Sequence, residues 1–417
     1  MRSRQTELNY SLIRHVAKVL PVLTIFCIMS MSEAHADTVV VTSVNELASA
    51  VSVANSSGGN RTILVADGTY TLNNGLYISS PNVTISGQSG NRERVVIQGD
   101  AMSASASVGT LITVAADNFT LQGMTLQKSG NHLIQIKGED DADSPTIRDC
   151  ILRDAFEQIV KVSVNQSNLD VSSDNGLVEN CLFEYSAGIG PQYYIGGLDA
   201  HSADNWVVRD NTFRNIISPG DSIAEYAVHF WNGSTDNVVE RNLIINCDRG
   251  IGFGLGDRGN QRGIIRNNMI YHAANTGQFA DVGIALQNSS GSSIYNNTIF
   301  MEHNYPTSIE YRFGGTTGVL VANNLTNRPI RALDGASADV SANVTDAVAE
   351  WFVNIGTGDL HLADSQITGV SGEGNALAGL TDDFDGDPRQ QEGNVDIGAD
   401  EAGTVVRPEP PTGLRAN

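Results

Sequence analysis

The stretch of sequence that decides the fold is VVERNLI, residues 238–244, because the same pattern recurs along the chain. Two mostly apolar residues are followed by two polar residues, an asparagine or cysteine, and further mostly apolar residues. The other copies are TIRDCIL (146–152), LVENCLF (177–183), VVRDNTF (207–213), IIRNNMI (264–270), SIYNNTI (293–299) and LVANNL (320–325), with weaker ones at 119–124 and ending at Asn343. Successive fifth positions lie 26 to 31 residues apart, and such a period indicates a repeat architecture.

Each copy has the composition of two short strands joined by a bend. Asparagine at the bend tolerates the left-handed conformation and hydrogen-bonds its own backbone. When coils stack about 4.8 Å apart, the fifth-position side chains form a ladder of hydrogen-bonded amides. A second set of strands, such as Ala227–Trp231 and Val282–Leu286, supplies a third strand to each coil. The sequence therefore predicts an all-β protein, a single-stranded right-handed parallel β-helix with three strands per coil and an Asn ladder.

The two ends of the chain predict a domain organisation. A basic start, an apolar run from Val19 to Met31 and Ala34-His35-Ala36 are typical of a secretory signal peptide, so we expect residues 1–36 to be a signal peptide and the protein to be secreted. Residues 37–402 form the predicted β-helix, with an N-terminal capping helix over Val44–Val51. Residues 403–417 are rich in proline and are predicted to be a disordered tail.

Charge and cysteine content restrict the partners. The formal net charge is −22, and residues 1–36 hold more basic than acidic residues, so the remaining chain is more acidic still. Such a surface repels nucleic acid and anionic membranes, and we expect neither partner, no membrane insertion and a monomer. It also opposes a polyanionic substrate unless a local basic patch overrides the field. The three cysteines that follow residue 36 are an odd number, so at least one is unpaired within the chain.

The end of the predicted β-helix contains aspartates at alternating positions, Asp383, Asp385 and Asp387. One interpretation is a calcium-binding loop, although the spacing of an EF-hand is incomplete. The alternative is a capping turn in which Arg389 pairs with an aspartate.

The coil pattern, the Asn ladder and the uneven loops resemble the pectate-lyase-like β-helix superfamily over Val39 to Glu401. This superfamily includes pectate lyases, polygalacturonases and alginate lyase or chondroitinase-B-like enzymes. The longest loops, Tyr185–Gly196 and Ile216–Glu225, lie on one edge, which marks the binding side of a solenoid. The chain has no R-x-P-x-x-R motif of pectate lyases and no paired aspartates in the polygalacturonase motif. The resemblance therefore implies a fold and a carbohydrate-acting protein, and it names no activity.

Ionisable residues cluster on the outward positions of the second strand set. Because side chains alternate across a strand, the predicted interior set turns other residues outward. That interior set is Ile136, Val162, Leu198, Val228, Phe230, Ile251, Phe253, Ile284 and Leu286. Lys161, His201 and His229 are then candidate bases in one outward column, and Arg249 is a candidate catalytic partner for a substrate carboxylate. His272 and His303 fall outside this column and are predicted to be surface residues.

Substrate contacts are predicted around the same column. Tyr193, Tyr194 and Trp231 could stack on sugar rings, and glycines at 250, 252, 254 and 256 would let a sugar approach the backbone. Three further candidates are Asp199, Glu225 and Arg258. A calcium ion held by Asp199 or Asp248 could neutralise a uronate. A simpler interpretation is that Arg249 only pairs with Asp248 or with a carboxylate of a neighbouring loop.

Three functions fit this sequence. The favoured one is a polysaccharide lyase that cleaves an acidic, uronate-containing glycan by β-elimination. A glycoside hydrolase needs two carboxylates, and Asp199 with Glu225 or Asp248 would supply them. The third is a non-catalytic carbohydrate-binding or cell-surface protein.

Overall fold

The computed structural model describes residues 37–389 and 395–402; the predicted signal peptide and proline-rich tail lie outside these residues. Three long parallel sheets run along the β-helix, as predicted. Sheet A contains Asp37–Val41, Arg61–Val65, Val83–Gly87, Thr120–Gln122, Thr146–Arg148, Leu177–Glu179, Val207–Arg209, Val238–Glu240, Ile264–Arg266, Ser293–Tyr295, Val319–Ala322 and Ala338–Ser341.

From Val207–Arg209 to Val319–Ala322, each sheet A strand leads through the Asn bend into a sheet B strand, and a sheet C strand completes the coil. Sheet B contains Gly68–Thr71, Val95–Gln98, Thr125–Ser129, Ile151–Ala155, Leu182–Glu184, Thr212–Arg214, Leu243–Ile245, Met269–His272, Thr298–Met301 and Leu325–Thr326. Sheet C contains Leu76–Ile78, Ile112–Val114, Ile134–Lys137, Gln158–Ser163, Gly196–His201, Tyr226–Trp231, Arg249–Phe253, Ile284–Gln287, Ile309–Arg312 and Ile330–Leu333.

Smaller elements complete the described part of the chain. A short parallel sheet contains Ser234–Thr235, Asn260–Gln261 and Ser289–Ser290, and an antiparallel hairpin contains Phe352–Asn354 and Asp359–Leu362. Three 3-10 turns span Gly138–Asp140, Ala349–Trp351 and Ile355–Thr357.

The capping helix α1 spans Val44–Ser56, longer than predicted. The hydroxyl of Ser43 accepts a hydrogen bond from the Glu46 amide at its start, a typical N-cap. The helix buries Leu47 and Ala54 against the core. It thereby covers the open end of the coil stack, where unpaired strand edges would otherwise be exposed.

The Asn ladder is confirmed as a chain of amide–amide hydrogen bonds of 2.9–3.0 Å. Its members are Asn211, Asn242, Asn268, Asn297, Asn324 and Asn343. The prediction that the ladder residue itself is left-handed is wrong, because positive φ angles occur at the preceding position instead, as at Arg241 (φ 51°) and Asn267 (φ 53°). The chain turns at this preceding residue, and the side chain of the ladder residue donates a hydrogen bond to the ladder residue of the next coil. Cys150 and Cys181 continue the column, and both are buried free thiols.

The interior predicted from strand alternation is confirmed. Every one of its nine side chains, from Ile136 to Leu286, has no exposed area. Aromatic residues also fill the interior: Phe183 and Phe213 stack with ring centroids 4.5 Å apart, and Trp206 is fully buried.

The C-terminal segment, residues 347–389 and 395–402, covers the outer face of sheet B in the C-terminal half. Its apolar side chains, including Leu360 and Ile397, pack on sheet B residues such as Met269 and Tyr271. The left-handed asparagines at the bends hold it in place, because Asn267 and Asn296 donate hydrogen bonds to its backbone carbonyls.

Arg389 anchors the same segment. The prediction that it pairs with an aspartate is wrong, because its guanidinium is buried and lies 2.8 Å from Glu401. It also donates to the carbonyls of Gly398 and Ala399. These backbone acceptors could not be inferred from sequence spacing.

Among the described residues, no helix has the length and apolar composition required to cross a bilayer.

Candidate functional site

The candidate site lies on the outer face of sheet C. The strand register places Lys161, Asp199 and His229 side by side on three successive coils. His201 and Trp231 pair in the adjacent column, two residues further along their strands. The predicted single column is therefore two neighbouring columns, because His201 is separated from Asp199 by one inward residue and belongs to the next outward position.

Asp199 is the centre of the cluster. It accepts hydrogen bonds from the ammonium of Lys161 and from the indole Nε1 of Trp231, the latter at 2.7 Å. Only 3% of its surface is exposed. Burial raises the pKa of Asp199, but Lys161, His229 and His201 together outweigh burial and bring the pKa to about 2. The carboxylate is thus ionised at neutral pH and fixed in position.

His229 carries the feature of most chemical interest. Its Nε2 lies 3.2 Å from the Gly254 carbonyl, so we assign the ring proton to Nε2 as the donor. The Nδ1 lone pair then has no hydrogen-bond partner among the described residues, and it lies 3.8 Å from Asp199 Oδ1 and 3.7 Å from Glu225 Oε2. Burial lowers the pKa of His229, so the ring is neutral and Nδ1 can accept a proton.

The other two predicted bases are bound to each other. The Nε2 of His201 lies 2.8 Å from the Lys161 ammonium, which uses the lone pair of the imidazole. Burial lowers the pKa of His201 to about 4, which keeps the ring neutral and able to accept that bond. Neither residue therefore has a lone pair available to a substrate in this arrangement.

Aromatic and cationic side chains lie beside His229. The Trp231 indole stacks nearly parallel on the His229 ring, with centroids 5.4 Å apart. The exposed Arg258 guanidinium lies 5.4 Å from the indole centroid. No ion pair of Arg258 is found within the described residues, whereas Lys161 pairs with Asp199.

Arg249 is held by Asp281 and Tyr226, and no pattern in the sequence indicated Asp281. Its Nε lies 3.1 Å from a carboxylate oxygen of Asp281, so its partner is a loop carboxylate and not Asp248. Its guanidinium also lies 5.3 Å from the ring centroid of Tyr226. Burial raises the pKa of the Tyr226 phenol to about 12. Gly252 makes this ring position possible, because a Cβ there would lie 2.7 Å from the Tyr226 ring.

Asp248 closes a loop. Its Oδ2 accepts hydrogen bonds of 3.0 Å from the amides of Ser218 and Ala224, which fixes the long loop that precedes the strand Tyr226–Trp231. Its Oδ1 has no hydrogen-bond partner among the described residues, and burial raises the pKa of Asp248 to about 6.

Two exposed tyrosines lie in the loop that leads into the sheet C strand Gly196–His201. Tyr193 and Tyr194 are 44% and 42% exposed in the long loop just before Gly196, where they can stack on a ligand. On the opposite edge, the Asn232 amide donates to Gln166 and the Ser202 hydroxyl donates to the Leu169 carbonyl. These bonds hold the loop after Ser163 against the turns that follow the strands Gly196–His201 and Tyr226–Trp231.

His272 and His303 are not surface residues, contrary to the prediction. Both are buried, with ring centroids 4.5 Å apart. His272 ends the sheet B strand Met269–His272, and His303 lies in the loop after Thr298–Met301, where the Tyr305 amide donates to its Nδ1. Such a loop carries no sequence period.

No model of a protein family and no curated protein matches the chain. Among solved structures, the pectate lyase Pel9A aligns with 14% identity, 84% coverage of this chain, 90% coverage of that chain and a TM-score of 0.58. A mannuronic acid specific polysaccharide family 6 lyase from human gut microbiota aligns with 15% identity, coverages of 73% and 76%, and a TM-score of 0.42. An alginate lyase from Paenibacillus sp. str. FPU-7 aligns with 14% identity, coverages of 66% and 97%, and a TM-score of 0.40. The first similarity shows that the chain has the pectate-lyase-like right-handed parallel β-helix fold.

Proposed function

We propose that this protein is a secreted polysaccharide lyase that cleaves a uronate-containing glycan by β-elimination on the outer face of sheet C. The observation that carries the proposal is the Nδ1 atom of His229, a buried neutral nitrogen with no hydrogen-bond partner among the described residues. The fold shared with a pectate lyase is compatible with the proposal and does not by itself determine the chemistry.

In this reaction a base removes the proton from the carbon next to the uronate carboxylate, and a C=C bond forms as the C–O bond to the glycosidic oxygen breaks. The leaving oxygen takes up a proton from solvent. His229 Nδ1 is the proposed base, since its tautomer is fixed through Gly254. The imidazolium that forms would be stabilised by the ionised Asp199 at 3.8 Å, as a buried carboxylate stabilises other catalytic histidines. The side chains around His229 would have to shift slightly for the substrate carbon to reach it, because His229 is 1% exposed.

Because the protein is strongly acidic, a uronate-containing substrate needs a local cation to bind. Lys161 is paired with Asp199, and Arg249 is paired with Asp281. Arg258 is the exposed cation of the cluster, and we propose that it holds the uronate carboxylate while Tyr193 and Tyr194 stack on neighbouring sugars. The hydrogen bonds of Asp199 and Asp248 leave few carboxylate oxygens for a calcium ion, so the proposed steps use none.

A glycoside hydrolase is the second candidate, because Asp199 and Glu225 lie on either side of His229 Nδ1. Hydrolysis needs one carboxylic acid that stays protonated near neutral pH. The pKa of Asp199 is lowered to about 2, which is the opposite direction. Asp248 has a raised pKa but is buried and bound to loop amides. Asp199 and Asp248 therefore fit an elimination better than a hydrolysis.

The test measures ultraviolet absorbance from unsaturated ends, and reducing sugar in parallel, on alginate, pectate and glycosaminoglycans with and without calcium. We expect both signals for the unmodified protein and a loss of at least about 100-fold in kcat for His229→Ala, the usual contribution of a general base. Arg258→Ala should instead raise KM by roughly tenfold, because it removes one carboxylate contact. His303→Ala is the matched control, since this histidine is equally buried but lies outside the cluster.

Each outcome separates the candidates. Reducing sugar without the absorbance change would replace the lyase by a hydrolase. Glycan binding without turnover, unchanged in His229→Ala, would identify a carbohydrate-binding protein.

A further inference from the structure

A second group of ionisable residues lies at the C-terminal end, on the segment that covers sheet B. It combines His361 on the hairpin strand Asp359–Leu362, Asp385 in the loop after Asp382, and Asp400 near the end of the described chain. One potential ligand atom of each residue lies within 4.8 Å of the others. We propose that His361, Asp385 and Asp400 bind a divalent transition-metal ion, with Zn²⁺ as the preferred ion.

The orientation of the histidine supports this proposal. His361 Nδ1 lies 2.5 Å from Asp359 Oδ1, so this nitrogen is the donor and Nε2 is directed into the group. Nε2 is buried and lies 3.1 Å from Asp385 Oδ2 without a hydrogen bond of good geometry. Burial lowers the pKa of His361, but Asp359 and Asp385 outweigh burial and raise the pKa to about 9, so a bound ion would replace the proton on Nε2. A histidine whose second nitrogen donates to a carboxylate is the arrangement that orients metal-binding imidazoles in proteins.

The local charge favours a cation. Asp383 and Asp400 are both nearly fully buried, and the neighbouring buried guanidinium of Arg389 pairs with Glu401. Several carboxylates that approach one another in a buried region repel strongly unless a positive charge offsets them. The protonated imidazole of His361 supplies one positive charge beside these carboxylates, and a divalent ion in place of its Nε2 proton would supply two at the point where three chain segments meet.

The donor set also selects the kind of ion. Imidazole together with carboxylates suits zinc and similar transition metals, whereas calcium takes six to eight oxygen ligands. The predicted calcium loop is less suitable, because Asp383 Oδ1 accepts the amides of Asp385 and Asp387 and its Oδ2 accepts the amide of Glu401. Asp383 is therefore already engaged by the backbone of the turn.

The position implies a structural role for the ion. The strand that carries His361 also carries Leu360 and Leu362, and Asp400 follows Ala399; these three apolar residues pack on sheet B. One ion would join the hairpin, the aspartate loop and the final segment over this face. The site shares no residue with the sheet C cluster, so its test is independent of the proposed lyase activity.

The experiment uses the full chain, stripped of metal with a chelator and dialysed against Zn²⁺, Mn²⁺ or Ca²⁺ separately. Bound metal is measured by elemental analysis and the unfolding temperature by circular dichroism. We expect about one Zn²⁺ per chain, a rise of several degrees in the unfolding temperature, and at least about tenfold weaker binding in His361→Gln, since such an effect follows even from the loss of an outer-shell partner. Asp387→Asn should bind Zn²⁺ like the unmodified protein, because Asp387 belongs to the alternative group alone.

Two further measurements keep the result interpretable if His361→Gln is less stable. Co²⁺ should give a visible absorption band in the unmodified protein that is lost in His361→Gln. Asp359→Asn, which keeps the three ligands, should weaken Zn²⁺ binding by about 10- to 100-fold. The proposal fails if no ion binds, if His361→Gln binds Zn²⁺ normally, or if only Ca²⁺ binds and Asp387→Asn abolishes it. An imidazole that serves only as an ion-pair partner would give the first of these results.

Discussion

Two columns of buried polar side chains run along this β-helix, and they differ in how well their hydrogen bonds are satisfied. In the Asn ladder each amide donates to the next coil and to backbone carbonyls, as Asn268 does to Asn297, Val239 and Arg266. On sheet C the cluster mixes charged and neutral groups and leaves His229 Nδ1 without a hydrogen bond. A fully satisfied polar column stabilises a fold, whereas an unsatisfied buried atom requires another explanation, such as catalysis. We therefore propose that the ladder stabilises the fold and that the sheet C cluster carries the chemistry.

The largest expected effect on stability comes from breaking the ladder in its middle. Asn268→Ala removes three donated hydrogen bonds and the acceptor of the Asn242 amide and side chain. Because each buried group left unsatisfied costs about 1–3 kcal/mol, we expect the free energy of unfolding to fall by about 3–5 kcal/mol, measured by denaturant titration. The activity per folded molecule should stay normal.

The reverse behaviour is expected on sheet C. His229→Ala should remove activity while its free energy of unfolding changes far less than in Asn268→Ala. If the two variants lost stability equally, the sheet C column would be a structural ladder like the first, and the contrast between the columns would be lost.

A pH titration distinguishes the Asn ladder from the sheet C cluster, because amides do not titrate and histidines do. Burial lowers the pKa of His201 to about 4, and it has the same effect on His132, which lies just before the sheet C strand Ile134–Lys137. The pKa of a histidine in an unfolded chain is about 6.5. Between these values the unfolded state binds more protons, so the free energy of unfolding falls as the pH falls from about 6.5 to 4. We expect a loss of roughly 1–3 kcal/mol per histidine by this linkage, from denaturant titrations at several pH values.

The control for this prediction is His201→Gln. It should reduce the slope of unfolding free energy against pH, because the difference in bound protons between the unfolded and folded states falls by up to one. Asp248 contributes with the opposite sign, since its pKa is raised to about 6 and its contribution is lost as the pH rises through that range. An unchanged slope in His201→Gln would show that this imidazole is not kept neutral by the fold.

Periodic features of the sequence predicted the fold correctly, and non-periodic features escaped prediction. The repeat and the alternation of side chains identified the coils, the interior and the outward position of Asp199 and His229. The bend was misplaced by one residue because asparagine often occupies both positions, as in Asn267-Asn268. Asp281 was missed because it lies in a loop, where no period indicates which strand it will contact.

The smallest expected effect tests whether the ladder can be extended. Cys181 occupies a ladder position, and its amide already donates to Asn211 Oδ1 at 2.9 Å, as an asparagine there would. Cys181→Asn would add a side-chain donor toward the same oxygen and a better acceptor than sulfur for the Cys150 amide, which now lies 3.4 Å from Cys181 Sγ. Since a net hydrogen bond contributes about 1 kcal/mol, we expect the free energy of unfolding to rise by about that amount in denaturant titrations. A fall in the free energy of unfolding would mean that the space around Cys181 is too small for an amide. The coils that contain Cys150 and Cys181 would then depend on apolar packing, whereas the coils from Asn211 to Asn343 depend on hydrogen bonds.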